Sequence, residues 1–152
     1  MAVVFVLAVF FVAWDRFLKM LAVQYLSDKT VPLINGILSF DFVSNYRIAL
    51  SLPLSGWWLN VFIFLLIAAL LFAWLGQIKK RRFSTAAALT FLIIGAISNL
   101  LDRLLYGYVI DYFDWRIFTN NIADIMIATG TSSLILLFIL KSNHAQNYNE
   151  GR

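Results

Sequence analysis

The chain is expected to be an all-α membrane protein, a bundle of four transmembrane helices with a small extracytoplasmic β element. Three observations predict this. Of 152 residues, 62% are hydrophobic, and the mean hydropathy is +0.83. A soluble domain of this length averages about 45–50% apolar. Four long apolar segments are separated by charged or turn-forming stretches. One connector holds Asn35-Gly36 between two apolar runs, a hairpin signal.

A spanning helix needs roughly 20 apolar residues. The spans are placed at about residues 2–19, 57–75, 85–105 and 122–140, within one integral-membrane domain covering 1–152. The second and third are clear from composition. The first and fourth reach spanning length only if Asp15, Lys19, Asn121 and Asp124 lie inside helices. The first segment lacks a basic leader, and no small-x-small site precedes Asp28, so it reads as a retained helix and not a cleaved signal peptide. Residues 20–56 form the first outer loop, which carries the β element. Gly56-Trp57-Trp58 re-enters the membrane with tryptophans at interface height. The connector 106–121 is read as a second outer loop, and 142–152 as a frayed polar tail.

Lys79, Lys80, Arg81 and Arg82 join the second and third helices. Adjacent cations in a short loop mark the cytoplasmic side. Both termini then lie in the cytoplasm, and the loops 20–56 and 106–121 face outward. The net charge of +4 is mild, and no basic face is large enough for nucleic acid.

Elimination narrows the chemistry. There is no cysteine, so thiol catalysis and Cys-ligated metals are excluded. The sole histidine, His144, and the sole glutamate, Glu150, lie in the polar tail, which removes Ser-His-Asp triads and H-E-x-x-H zinc sites. Internal acid–base chemistry falls to the seven aspartates, a lysine or a tyrosine.

The polar residues are concentrated in Gly95…Asn99-Leu-Leu-Asp102-Arg103…Gly107-Tyr-Val-Ile-Asp111 and in Asn121-Ile-Ala-Asp124. Asn99, Asp102 and Arg103 share a helix face by i, i+3, i+4 spacing. Gly107 lets the chain turn after the helix. Asn121 is a candidate N-cap with Asp124 at N3. Asp15 and Lys19 are an i, i+4 pair. Taken singly, these are caps and ion pairs, and Asp114 and Arg116 read as solvated loop charges. Taken together they converge on the outer ends of helices one, three and four, which capping does not require. Ionisable groups inside a membrane mark functional sites, and paired aspartates suffice for an acid–base protease. Spacing alone points to Asp102 at least as well as to any other carboxylate.

These motifs resemble those of the lipoprotein signal peptidases, or signal peptidase II, a family of bacterial inner-membrane aspartyl proteases. The resemblance covers about residues 10–140. Gly95…Asn99-x-x-Asp102-Arg103…Gly107-x-Val109-x-Asp111 is similar to the family's third-helix motif, and Asn121-x-Ala123-Asp124 to the motif opening its last helix. Asp15-x-x-x-Lys19 matches the first-helix pair, and Asn45 with Ala49 part of the outer-loop motif. The chain departs from the pattern at Leu18, Arg47, Leu50 and Asn120, and the connector between Asp111 and Asp124 is short.

The resemblance implies Asp111 and Asp124 as the catalytic dyad. It implies substrate-binding or site-shaping roles for Asn45, Asn99, Asp102, Arg103, Asn121, Asp15 and Lys19. It implies removal of signal peptides from diacylglyceryl-modified pro-lipoproteins at the lipidated cysteine, with no metal or other cofactor. The expected partners are the lipid-modified substrate and membrane lipids, with no nucleic acid and a monomeric state. The expected location is the bacterial inner membrane, with the site near the outer face.

A transporter or channel subunit with a polar pathway is the main alternative. Against it, the polar residues cluster at one membrane face, and the centres of helices two to four hold no ionisable group. A Ser–Lys membrane peptidase is weaker still, because Lys141 lies on the cytoplasmic side and Lys19 has no evident serine partner.

Overall fold

A computed structural model describes residues 1–27, 29–46 and 56–150, with side chains described as far as Asn143. In chain order it contains α1 (Ala2–Tyr25), β1 (Val31–Ile34), β2 (Leu38–Asn45), α2 (Trp57–Lys79), α3 (Phe83–Tyr106), β3 (Val109–Asp114), β4 (Thr119–Asn120) and α4 (Ile122–Glu150). Arg47, Ala49 and Leu50 lie outside the described residues.

Helix α3 is the centre of the molecule and packs against α1, α2 and α4. Its buried face is rich in small residues, including Ala86, Ala88, Gly95 and Ser98. Small residues let membrane helices approach closely. A Cβ at Gly95 would sit 2.6 Å from the Ala123 carbonyl of α4, and one at Gly130 would sit 2.6 Å from the Ala88 carbonyl of α3. On its other side α3 buries Leu89, Ile93 and Leu100 with Ile67 of α2. The Trp74 indole of α2 donates to Thr90 Oγ1 at 3.0 Å, which satisfies a polar edge within that apolar seam.

Three helices are long and apolar enough to cross a membrane: Trp57–Lys79, Phe83–Tyr106 and Ile122–Asn143. The expected fourth span is not among them. Any 18-residue stretch of α1 includes Asp15, Arg16 and Lys19.

The four strands form one antiparallel sheet in the order β1-β2-β3-β4. The β1–β2 hairpin turns at Asn35-Gly36, where Gly36 takes φ 78°. Strands β3 and β4 occupy a stretch expected to be a loop. Val109, Ile110, Tyr112 and Phe113 are β-branched or aromatic, residue types that suit a pleated surface. They pair with β2 from a distant part of the chain, with Val43 opposite Asp111 and Asn45 opposite Val109. Ile110 and Tyr112 pack on Ala22 and Leu26, near the end of α1. Successive strand side chains alternate faces, so Asp111 is presented on the other side.

Helix α4 continues to Glu150, through the tail expected to fray. No glycine or proline interrupts residues 131–150, so nothing local stops the helix.

Candidate active site

Helix α3 ends where Gly107 adopts a left-handed C-cap with φ 82°. Its amide donates to the Arg103 carbonyl at 3.1 Å. The chain reverses there into β3, and β4 then leads into α4. The polar residues of α1, α3, β3 and α4 thereby meet at one end of the bundle.

Asn121 caps α4. Its Oδ1 accepts the Asp124 amide at 2.9 Å, and its Nδ2 donates to Asp111 Oδ1 at 2.7 Å. One carboxamide thus touches both Asp111 and the backbone of Asp124. Because its oxygen is occupied by a backbone donor, its nitrogen must face Asp111.

Asp111 is fully buried. Its Oδ2 accepts from Asn45 Nδ2 at 2.8 Å and from Thr119 Oγ1 at 3.1 Å. Burial holds this carboxyl above the ordinary carboxylate range, while the donors on Asn45, Thr119 and Asn121 and the Lys19 charge act the other way.

Asp124 lies in the first turn of α4, where the helix dipole favours an anion. Its Oδ1 accepts from Asn99 Nδ2 at 2.7 Å. Asp111 lies within electrostatic reach of Asp124. The Arg103 guanidinium feels Asp124, Asp111 and Asp102, and donates to the Asn99 carbonyl at 3.3 Å.

Beneath these groups is a buried ionic cluster. Asp15 accepts from Lys19 at 2.9 Å, Ser98 Oγ at 2.7 Å, Tyr112 Oη at 3.0 Å and the Ala123 amide at 3.3 Å. One carboxylate therefore ties together α1, α3, β3 and α4. Tyr112 Oη also accepts the Ile122 amide at 2.9 Å. Burial is the main cause that raises this phenol above its ordinary value.

The Asp102 carboxylate meets cations of α1, with Lys19 and Arg16 each at 2.7 Å, and accepts the Ile110 amide at 3.2 Å. Two cations and two carboxylates offset one another here. Unpaired, each would cost several kcal/mol when buried.

A cavity of about 1130 Å³ opens beside this cluster. Asn45, Asn99, Arg103, Thr119 and Asp124 line its polar part, and Val43, Ile125, Ile127 and Ala128 its apolar part. Asn45 and Thr119 thus stand between Asp111 and the cavity. Asp114 and Arg116, expected to be solvated loop charges, also line it.

All nine residues singled out from sequence gather at this end of the bundle. Sequence reasoning missed Arg16, Ser98, Tyr112 and Thr119. Ser98 was accessible to it, one helical turn before Asp102 on the face of Gly95. Thr119 and Tyr112 become partners only through strand pairing and burial. Among the described residues no group of three or more His, Cys, Asp or Glu could hold a metal ion.

A family model described as signal peptidase (SPase) II matches residues 7–140. The lipoprotein signal peptidase of Clostridioides difficile (strain 630) is 33% identical over 135 residues, covering 84% of this chain and 90% of that one. That of Shewanella pealeana is 36% identical over 121 residues, covering 74% and 69%. A solved bacterial membrane enzyme superposes with a TM-score of 0.80 at 23% identity, covering 95% of this chain and 92% of that chain, which speaks to the fold. A second gives 0.75 at 25% identity, covering 91% and 93%. With the family model matching 134 of 152 residues, the chain belongs to the signal peptidase II family.

Proposed function

We propose that the protein is an aspartyl endopeptidase that removes signal peptides from diacylglyceryl-modified pro-lipoproteins at the lipidated cysteine. The supporting observation is the bridge made by Asn121, which joins Asp111 to the Asp124 backbone beside a cavity with polar and apolar walls. In the reaction, the ionised member of the pair takes a proton from water as the water attacks the scissile carbonyl. The protonated member polarises that carbonyl and then protonates the leaving amine. Adjacent carboxylates share a proton because both cannot ionise cheaply, so the two titrate as a unit. Asn45, Asn99, Arg103 and Asn121 position the pair and contact substrate. Asp15, Lys19 and Asp102 hold the elements that carry it. No cofactor takes part.

The proposal extends to topology. The whole chain, 1–152, acts as one monomeric integral-membrane unit of the bacterial inner membrane, with both termini cytoplasmic and the site near the outer face. Helix α1 serves as the fourth span because Asp15 and Lys19 are buried against α3, which leaves Val3, Phe5, Phe10 and Phe17 exposed to lipid.

The test is cleavage of a diacylglyceryl-modified pro-lipoprotein in membranes carrying Asp111→Asn or Asp124→Asn. Each variant should insert and fold yet lose cleavage by at least about 10³-fold, because an amide cannot accept and return the water's proton. Asp102→Asn should act mainly by destabilising the fold. Retained cleavage in both Asp111→Asn and Asp124→Asn would refute the aspartyl mechanism.

A further inference from the structure

Lys19 is almost wholly buried, and its ammonium meets three acceptors: Asp102 Oδ2 at 2.7 Å, Asp15 Oδ2 at 2.9 Å and Asn99 Oδ1 at 3.1 Å. An ammonium has three N–H groups and no acceptor. All three are therefore engaged. Two of them meet carboxylates, and Arg16 also lies at 2.7 Å from Asp102 and 3.6 Å from Asp15. Charge balance within the cluster does not require the third contact, which goes to a neutral amide.

That third contact has a chemical consequence. A carboxamide has one accepting and one donating end, and a 180° rotation exchanges them. Only the oxygen of Asn99 can face Lys19, because the ammonium cannot accept a hydrogen bond. The Asn99 nitrogen must then face Asp124, where it donates to Oδ1 at 2.7 Å. Were the amide reversed, its oxygen would confront a carboxylate oxygen.

We infer that Lys19 is a positioning residue that fixes the direction of the Asn99 carboxamide and so delivers an N–H donor to Asp124. This rests on the proposed role of Asp124. The charged groups that act on that aspartate are Asp111 from β3, Lys19 from α1 and Arg103 from α3. Of these, Lys19 donates to the oxygen of Asn99. The Asn121 amide, held by the Asp124 backbone N–H, delivers its donor to Asp111 in the same way.

The test uses the full-length protein in membranes, with a diacylglyceryl-modified pro-lipoprotein as substrate. Lys19→Met and Asn99→Ala should each lower kcat by about 10- to 100-fold with little change in KM. The double variant should be scarcely worse than either single one, because Lys19 acts through Asn99. Lys19→Arg, which keeps the donors, should recover part of the loss. A purely structural Lys19 would instead give losses that multiply in the double variant, and that result would overturn the inference.

Lys19→Met leaves Asp15 and Asp102 short of a cation and can fail to fold. Asn99→Leu then decides, since it keeps the side chain's size and leaves Lys19 paired with Asp15 and Asp102 but removes the donor to Asp124. It should fold and lose kcat to a similar degree, and near-normal turnover by folded Asn99→Leu overturns the inference. Asp124→Asn is assayed beside them. Full activity there defeats the aspartyl reading, whereas its inactivity alongside an active Asn99→Leu defeats only the role of Lys19.

Discussion

Asp111 shows how burial and hydrogen bonding act against each other on one carboxyl group. It has no exposed surface, yet Asn45, Thr119 and Asn121 all direct donors at it. The balance leaves its pKa raised. A group whose folded value exceeds its unfolded value keeps its proton longer in the folded state. From the ordinary carboxylate value of about 3.9 up to the raised one, the folded state binds more protons, and stability declines as pH rises. Above that window the loss is complete and constant. Asp111→Asn has no such term. The melting temperature of Asp111→Asn relative to the parent should therefore be more favourable at pH 8 than at pH 4. Thermal unfolding of the purified proteins in one detergent measures this, and a difference that is flat or reversed with pH would contradict the burial argument.

At the scale of elements, the α3–α4 seam sets the site's dimensions. Gly95 and Gly130 both lie where an added methyl would meet opposing backbone at 2.6 Å. Overpacking of this kind typically costs about 1–3 kcal/mol. The two sites differ in what they displace. Gly95 abuts Ala123, next to Asp124, whereas Gly130 abuts Ala88 and Leu92, further along the seam. Gly95→Ala and Gly130→Ala should lose similar stability, but Gly95→Ala should lose about tenfold more turnover. A misplacement near 1 Å at a reacting group can cost about 10² in rate. Equal turnover in two equally stable variants would show that the α4 start tolerates the shift. This seam was only partly legible in the sequence. Gly95, Asn99, Asp102 and Arg103 stand out because helical spacing is a local pattern. The strands β3 and β4 do not, because β3 pairs with β2 across more than 60 residues and no short turn announces the pairing. For the same reason the pairing of Asp102 with Arg16 and Lys19 of α1 is not legible from its own helix.

At the scale of the whole molecule, the charge distribution predicts how the protein sits in a bilayer. Asp15 and Lys19 of α1 and Asp102 of α3 are buried against one another, which lowers the cost of charge in hydrocarbon. Trp57 and Trp58 stack at 3.7 Å just after Gly56, at the start of α2, and are largely exposed, which suits a membrane interface. At the other end of that helix Lys79 closes α2, and Lys80, Arg81 and Arg82 form the connector to α3, where Arg81 takes φ 54° in a tight turn. Helices alternate in direction, so this connector lies at the opposite end of the bundle from the sheet and the cavity. Four cations in so short a loop resist translocation, so the proposed topology puts it in the cytoplasm and the cavity at the outer face. The native chain has no cysteine, so single-cysteine variants carry no background. Gln77→Cys should be inaccessible to a membrane-impermeant thiol reagent applied to intact cells and should react after the inner membrane is opened. Ile37→Cys, in the exposed β1–β2 turn, should react once the reagent reaches the outer face of that membrane. The opposite pattern would invert the bundle, place Asp111 and Asp124 at the cytoplasmic surface, and overturn the proposed topology.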